Sequence, residues 1–148
     1  MEELKLRYQQ LVRAYKRLAY MRNTFVSLSQ DSACQKVSDE AENELIVHRD
    51  ALIKRFEFCY DLTWKYLKLL LKKKHSIDVA SPRSVFQECY RQSLLTREQS
   101  EAMIDMIDAR NQTAHVYDEQ MADIVSQSIV VYYEFLSQMI KDVDPKIF

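Results

Sequence analysis

The sequence predicts an all-α protein, an antiparallel up-and-down bundle of four to five helices in which residues 1–148 form a single domain. Three observations predict it. First, the 148 residues include no glycine and two prolines. Tight β-hairpins need glycine at positive φ, and phosphate-cradling or dinucleotide-binding loops need it where backbone approaches a ligand. Second, apolar side chains (47%) and charged ones (29%) recur with helical rather than strand period. Third, no internal repeat and no strand-type alternation interrupts that pattern.

The N-terminal segment carries Leu4, Tyr8, Leu11, Tyr15, Leu18 and Phe25 in steps of four and three, with Arg22 interrupting the row. That is one packing face of a helix. The polar cluster from Ser29 to Ser32 is expected to end it, and Lys36-Val37-Ser38 to lead to the next start. Ser38 reads as an N-cap, with Glu40, Glu42 and Glu44 loading the first turns. The second helix is predicted from Asp39 to Lys74. Leu45, Leu52, Phe56, Cys59, Leu67 and Leu70 form its row, widened by Ile53, Tyr60, Trp64 and Leu71. It ends on Lys72-Lys73-Lys74-His75, cations favoured by the helix dipole and expected to be solvated.

Ser81-Pro82 opens a short third helix, since proline fits the first helical position after a serine cap. Val85, Phe86, Cys89 and Tyr90 give it an apolar side, and it is expected to end near Leu94-Leu95. Thr96 with Gln99 forms a capping box for a fourth helix, which carries Ala102, Met103, Met106 and Ile107 to Arg110. From Asn111 to Asp118 the helical pattern weakens. A last helix is predicted from Asp118 to Lys141, with Ile124, Ser128, Val131, Phe135 and Met139 as its inward stripe and Asp144-Pro145 as its stop. The nine tyrosines and six phenylalanines also permit an apolar face for self-association.

The charge is balanced, 21 basic against 22 acidic groups, so no overall field draws the chain to nucleic acid or an anionic membrane. No apolar run approaches the roughly 18–20 residues of a membrane span. The first residues lack the basic-then-apolar order of a signal peptide, and a cytoplasmic protein is expected. Cys34, Cys59 and Cys89 are far apart and read as buried small hydrophobes. The three histidines, His48, His75 and His115, have no metal-ligand spacing. No metal and no cofactor is expected.

Chemistry concentrates between Asp108 and Asp118. Arg110 is a fixed cation, His115 can exchange protons near neutral pH and Tyr117 supplies a phenol. RNA cleavage without metal needs a base for the ribose 2′-OH, an acid for the leaving oxygen and a cation for the phosphorane charge. In an unbroken helix, positions five apart lie roughly 140° apart. Arg110 and His115 therefore share a face only if the helix breaks, or else a second chain completes the site. On spacing alone, a hydrogen-bonded polar joint between helices is the better reading.

A resemblance adds to this. Arg110-x4-His115-x-Tyr117 resembles the R-x4-6-H motif of HEPN domains, in the R-x4-H-x-Tyr form of HepT-type proteins. The run from His48-Arg49-Asp50 through Arg55-Phe56-Glu57-Phe58 to Asp61-Leu62-Thr63-Trp64-Lys65 resembles a helix of the nucleotidyltransferase substrate-binding proteins. Ser81-Pro82-Arg83 and Met106 to Asn111 are similar to shorter blocks of that family. The matches cover about residues 45 to 140. The resemblance implies a helical bundle that dimerises with the two motifs facing one cleft. It implies a minimal nucleotidyltransferase as partner. It also implies a two-component toxin–antitoxin module in which a metal-independent endoribonuclease is silenced by adenylylation of the motif tyrosine.

On that resemblance Arg110 would hold the scissile phosphate, His115 would serve as base or acid, and Asn111 would position the ribose or orient a catalytic group. Tyr117 would accept the adenylate. Asp108 would orient a motif side chain or bind substrate, or be a surface acid. The other implied function is a substrate-binding subunit that docks the nucleotidyltransferase and holds nucleotide without cutting RNA. Phe56 and Trp64 read as core, and Arg55 and Glu57 as interhelical or intersubunit partners. A positive groove for RNA would need the fold to gather Lys72, Lys73, Lys74, Arg83, Arg91 and Arg97.

Overall fold

A computed structural model describes the fold over residues 1–34 and 38–148. The expected link through Lys36 and Val37 and the placement of the Cys34 side chain lie outside the described residues. Among the described residues, five α-helices and no strand are found: α1 (Glu2–Cys34), α2 (Asp39–His75), α3 (Pro82–Arg91), α4 (Arg97–Gln112) and α5 (Glu119–Asp142). Short 3-10 turns follow α4 (Thr113–His115) and α5 (Pro145–Ile147). The bundle is the expected one.

The starts are made by the caps the sequence marks. Ser38 accepts from the Ala41 N–H, Ser81 from Ser84, and Thr96 with Gln99 closes a capping box. Asp118 caps α5 by accepting from Gln120 and Met121. Two stops show how the chain manages without glycine. Ser76 (φ 55°) and Ser93 (φ 59°) take the left-handed conformation, and the N–H groups of Ile77 and Leu95 reach back to Leu71 and Cys89. These are positions where glycine is usual, because a Cβ is strained there. α1 continues to Cys34, past the polar cluster expected to end it. α3 stops at Arg91, and Leu94 and Leu95 enter the core from the turn.

Helices α1 and α2 run antiparallel. Glu3 meets Lys73 at 3.7 Å, and the rings of Tyr8 and Tyr66 are 5.5 Å apart. Leu4, Leu11, Leu18 and Phe25 are buried in this seam with Leu52, Phe56, Leu67 and Leu70. Arg22 interrupts the apolar row because it stacks: its guanidinium lies 4.8 Å from the Tyr133 ring centre on α5 and 3.5 Å from Glu134. Such a cation over a ring keeps its stem packed while its charge finds a π-face. α5 lies parallel to α2, tied by Arg49 at one end and by Tyr66 donating to the Val143 carbonyl at the other. α3 and α4 pack as a pair across Phe86, Ser100 and Tyr60. One continuous core joins all five helices.

One predicted face is wrong. Ile124, Val131 and Phe135 of α5 are exposed rather than inward, and of the expected stripe only Met139 is fully buried. The core side of α5 is Ala122, Val125, Ser126, Ile129, Leu136, Met139 and Ile140. The two stripes differ by about one residue, or roughly 100° of rotation. Both are apolar, so periodicity alone does not choose between them.

Candidate active site

The weak segment after Arg110 is resolved by a change of helix type. α4 continues to Gln112, then tightens into the 3-10 turn Thr113–His115. The Asp118 N–H closes on the His115 carbonyl at 3.3 Å, and α5 begins. Thr113 is the buried pivot. It donates to Glu57 Oε2 at 3.0 Å and lies 2.7 Å from the Arg110 carbonyl. The tighter winding removes the constraint of an unbroken α-helix on the relative directions of Arg110, His115 and Tyr117.

Arg110 is held from α2. Its Nε and Nη2 each donate to one oxygen of Asp61 at 2.9 Å, a bidentate pair. Nη1 donates to Thr113 Oγ1 at 3.0 Å, and Glu57 lies 3.8 Å from Nη2. The Asp61 carboxylate, ahead of the opposing cost of burial, raises the Arg110 pKa above its ordinary value. Arginine has five N–H donors. Three are committed here, and the remaining two, one each on Nη1 and Nη2, stay open to a further acceptor. The plane of the guanidinium is fixed while its charge is partly matched.

His115 and Tyr117 stand outside this buried cluster. Their rings meet edge to face, with centres 6.1 Å apart. Tyr117 is 82% exposed, so its phenol is open to a second protein. Asn111 is exposed on the last turn of α4. Asp108 is exposed on α4, on the side facing α5, where with Asp105 it adds to the burial that raises the Tyr132 phenol. The acids in contact with Arg110 and Thr113 are Glu57 and Asp61. These two lie four apart on α2, one turn, and so share a face. That spacing is the signal in the sequence, but it becomes specific only once α4 is known to pack there. Glu57 serves the interhelical pairing expected of it, and Phe56 is buried as expected.

A second anchor steadies the other side of the turn. Arg49, 5% exposed, donates to Glu119 at 2.7 Å, Asp123 at 3.0 Å and Asp50 at 3.1 Å. These carboxylates outweigh the cost of burial and raise its pKa further, and Arg49 in turn lowers that of Glu119. The start of α5, just after Tyr117, is thereby fastened to α2 about three turns into that helix.

Cys59 and Cys89 are buried. Burial pushes both thiols up to about 12, which leaves neither poised as a nucleophile. Among the described residues, no group of three or more His, Cys, Asp or Glu side chains converges to hold a metal ion. No helix there is long and apolar enough to cross a membrane. Of the six basic residues expected to form a groove, three are paired elsewhere: Lys73 with Glu3, Arg91 with Glu88 and Arg97 with Glu101.

A family model described as "Nucleotidyltransferase substrate binding protein like" matches residues 7–144. Among solved structures, a crystal structure of a protein from Thermus thermophilus superposes with a TM-score of 0.61 at 26% sequence identity. That match covers 82% of this chain and 96% of the other. No curated protein matches. The family match takes in all five helices and the whole Arg110 to Tyr117 segment, and the chain belongs to the nucleotidyltransferase substrate binding protein-like family.

Proposed function

We propose that this chain is the HEPN-type subunit of a two-component module, a metal-independent endoribonuclease that a minimal nucleotidyltransferase docks and silences by adenylylating Tyr117. The observation that carries the reading is the pairing of an exposed tyrosine with an exposed histidine on one turn, directly after an arginine of fixed orientation. The two free N–H groups of Arg110 bind a non-bridging oxygen of the scissile phosphate. His115 takes the proton of the ribose 2′-OH as that oxygen attacks phosphorus, or gives a proton to the departing 5′ oxygen. One histidine cannot do both at once, so the second copy of the motif in a homodimer supplies the partner group. Asn111 contacts the ribose.

The dimer has a surface available. Ile124, Val131 and Phe135 form an exposed apolar stripe on α5, which suits burial against a second copy of the chain. In this reading the chain acts as one HEPN-like domain in the cytoplasm and takes RNA as ligand. Adenylylation of Tyr117 sets a phosphate and a base beside His115, blocking the cleft and drawing the free donors of Arg110.

One observation favours a second reading. The Arg110 fork is already engaged by Asp61, as suits a subunit that holds a nucleotide or substrate for the transferase without cutting RNA. Cleavage of RNA in excess EDTA by the purified chain, with Tyr117 shown unmodified by mass, decides between them. Cleavage by the parent and not by His115→Ala or Arg110→Ala supports the nuclease. No cleavage by any of the three overturns it in favour of the binding subunit.

A further inference from the structure

The four cations that the fold does gather are not those expected from the basic runs. Between α1 and α2 lies a groove of about 600 Å³, bordered by Arg13 and Arg17 from one helix and by Arg55, Phe58, Asp61 and Lys65 from the other. Arg13 and Arg17 are one turn apart on α1, and both are exposed. Arg55, Phe58 and Lys65 share a face of α2 and span about 15 Å along its axis. None of the four cations has an ion-pair partner among the described residues, whereas eight other basic side chains are paired. In a chain of net charge −1, such a concentration of unmatched positive charge calls for an anionic ligand.

Two features identify the ligand further. Phe58 is 46% exposed at the groove, with Lys54 Nζ 5.5 Å from its ring centre. An exposed aromatic ring bordering the same groove as the unpaired Arg55 and Lys65 suits a base stacked between neighbouring phosphates, the usual arrangement of single-strand binding surfaces. Asp61 is the acid on the groove wall, and its two oxygens are spent on Arg110. It therefore repels an anion little, and it joins the groove directly to the arginine of the candidate site. The length of the basic face exceeds what one phosphate needs and suits several in series.

We propose that the α1–α2 groove binds the backbone of single-stranded RNA, with Arg13, Arg17, Arg55 and Lys65 on successive phosphates and a base on Phe58, leading the strand to Arg110. This rests on the RNA-directed reading above and extends it from the motif turn to an adjoining surface between α1 and α2. The groove binds by charge and stacking, so it takes RNA with little sequence preference.

The test is fluorescence anisotropy with a labelled 2′-O-methyl RNA dodecamer, which lacks the attacking hydroxyl and reports binding without cleavage. The full chain is compared with Arg13→Gln/Arg17→Gln, with Phe58→Ser, and with Lys72→Gln/Lys74→Gln at the far end of α2 as a charge-matched control. All positions are at least partly exposed, and circular dichroism checks that each variant folds. The arginine pair is expected to weaken binding by at least about tenfold and to lower the salt slope by about 1.4, since each lost phosphate contact on a single strand removes about 0.7. Phe58→Ser is expected to weaken it by about fivefold or more, and the lysine control to leave it unchanged. Parent-like binding by the arginine pair overturns the proposal. So does an equal loss in the lysine control, which means diffuse charge. ADP binding as tightly as the dodecamer also overturns it and makes the groove a mononucleotide site. Loss of nucleotidyltransferase docking in the arginine pair, with RNA binding intact, reassigns the groove to an acidic protein surface. If the parent cuts no RNA yet the dodecamer binds through the groove, the nuclease reading fails and the groove stands. If cutting persists but the groove variants bind normally, the reverse holds.

Discussion

Asp61→Asn perturbs the candidate site at its support rather than at its chemistry. The native carboxylate receives two 2.9 Å hydrogen bonds from Arg110, with side-chain exposures of 27% for Arg110 and 34% for Asp61. A fully exposed ion pair contributes about 0.2–1 kcal/mol, and a hydrogen bond to a charged group about 1.5–3 kcal/mol. This half-covered bidentate pair lies between those limits, so a coupling of about 1–2 kcal/mol is expected. The asparagine keeps one acceptor oxygen, loses the charge and turns an N–H donor toward the other arm of the fork. Urea unfolding of the parent, Asp61→Asn, Arg110→Gln and the double variant isolates the pairwise contribution. For a chain of this size the single variant's Tm should fall by about 4 °C. Additivity of the two single changes within about 0.3 kcal/mol would refute the claim that Asp61 orients Arg110.

Four further outcomes are expected. Ser93→Gly should stabilise the fold by about 0.5–1 kcal/mol, because glycine relieves the Cβ strain at φ 59° at a smaller entropic cost; a lower Tm would mean the serine side chain is needed there. Arg49→Met should cost about 1–3 kcal/mol by leaving three carboxylates facing one another. It should also flatten the acid limb of the stability–pH profile: Arg49 holds the folded Glu119 pKa below its ordinary 4.5, so that contribution is present above pH 4.5 and lost as pH falls through the lowered value. An unchanged acid limb would show that the pair is not linked to folding. In a Cys34→Ser background, Cys59 and Cys89, both pushed up to about 12, should resist iodoacetamide in the native state at pH 8 and react in urea; rapid native labelling would contradict their burial. Ile124→Glu/Val131→Glu should convert a dimer to a monomer in sedimentation with helicity retained, and a parent that sediments as a monomer would remove the α5 stripe as its interface.

Much of the architecture follows from local chemistry. A chain without glycine, with serine or threonine caps at Ser38, Ser81 and Thr96 and 3.6-residue periodicity throughout, has little choice but helices, and their starts fall where the caps stand. The row of Leu4, Leu11, Leu18 and Phe25 was equally legible as a buried face, because a coiled-coil row must be buried somewhere, but not that α2 covers it. The motif turn was legible as the place where Asn111, Gln112 and Thr113 weaken the helix. Which face of α5 is inward was not, since its two apolar stripes have the same period and only the packing against α1, α2 and α4 selects one. Arg110 and His115 could be singled out by residue type. The acids that hold Arg110, Glu57 and Asp61, lie about fifty residues away, and their one-turn spacing on α2 gains meaning only once α4 packs beside it. The same holds for the groove: Arg13 and Arg17 meet Arg55 and Lys65 because α1 and α2 run antiparallel. Local sequence determines which segments are helical, since capping and periodicity act within a few residues. Tertiary structure alone determines which charges meet, since ion pairing and grooves depend on distances between helices that sequence order does not contain.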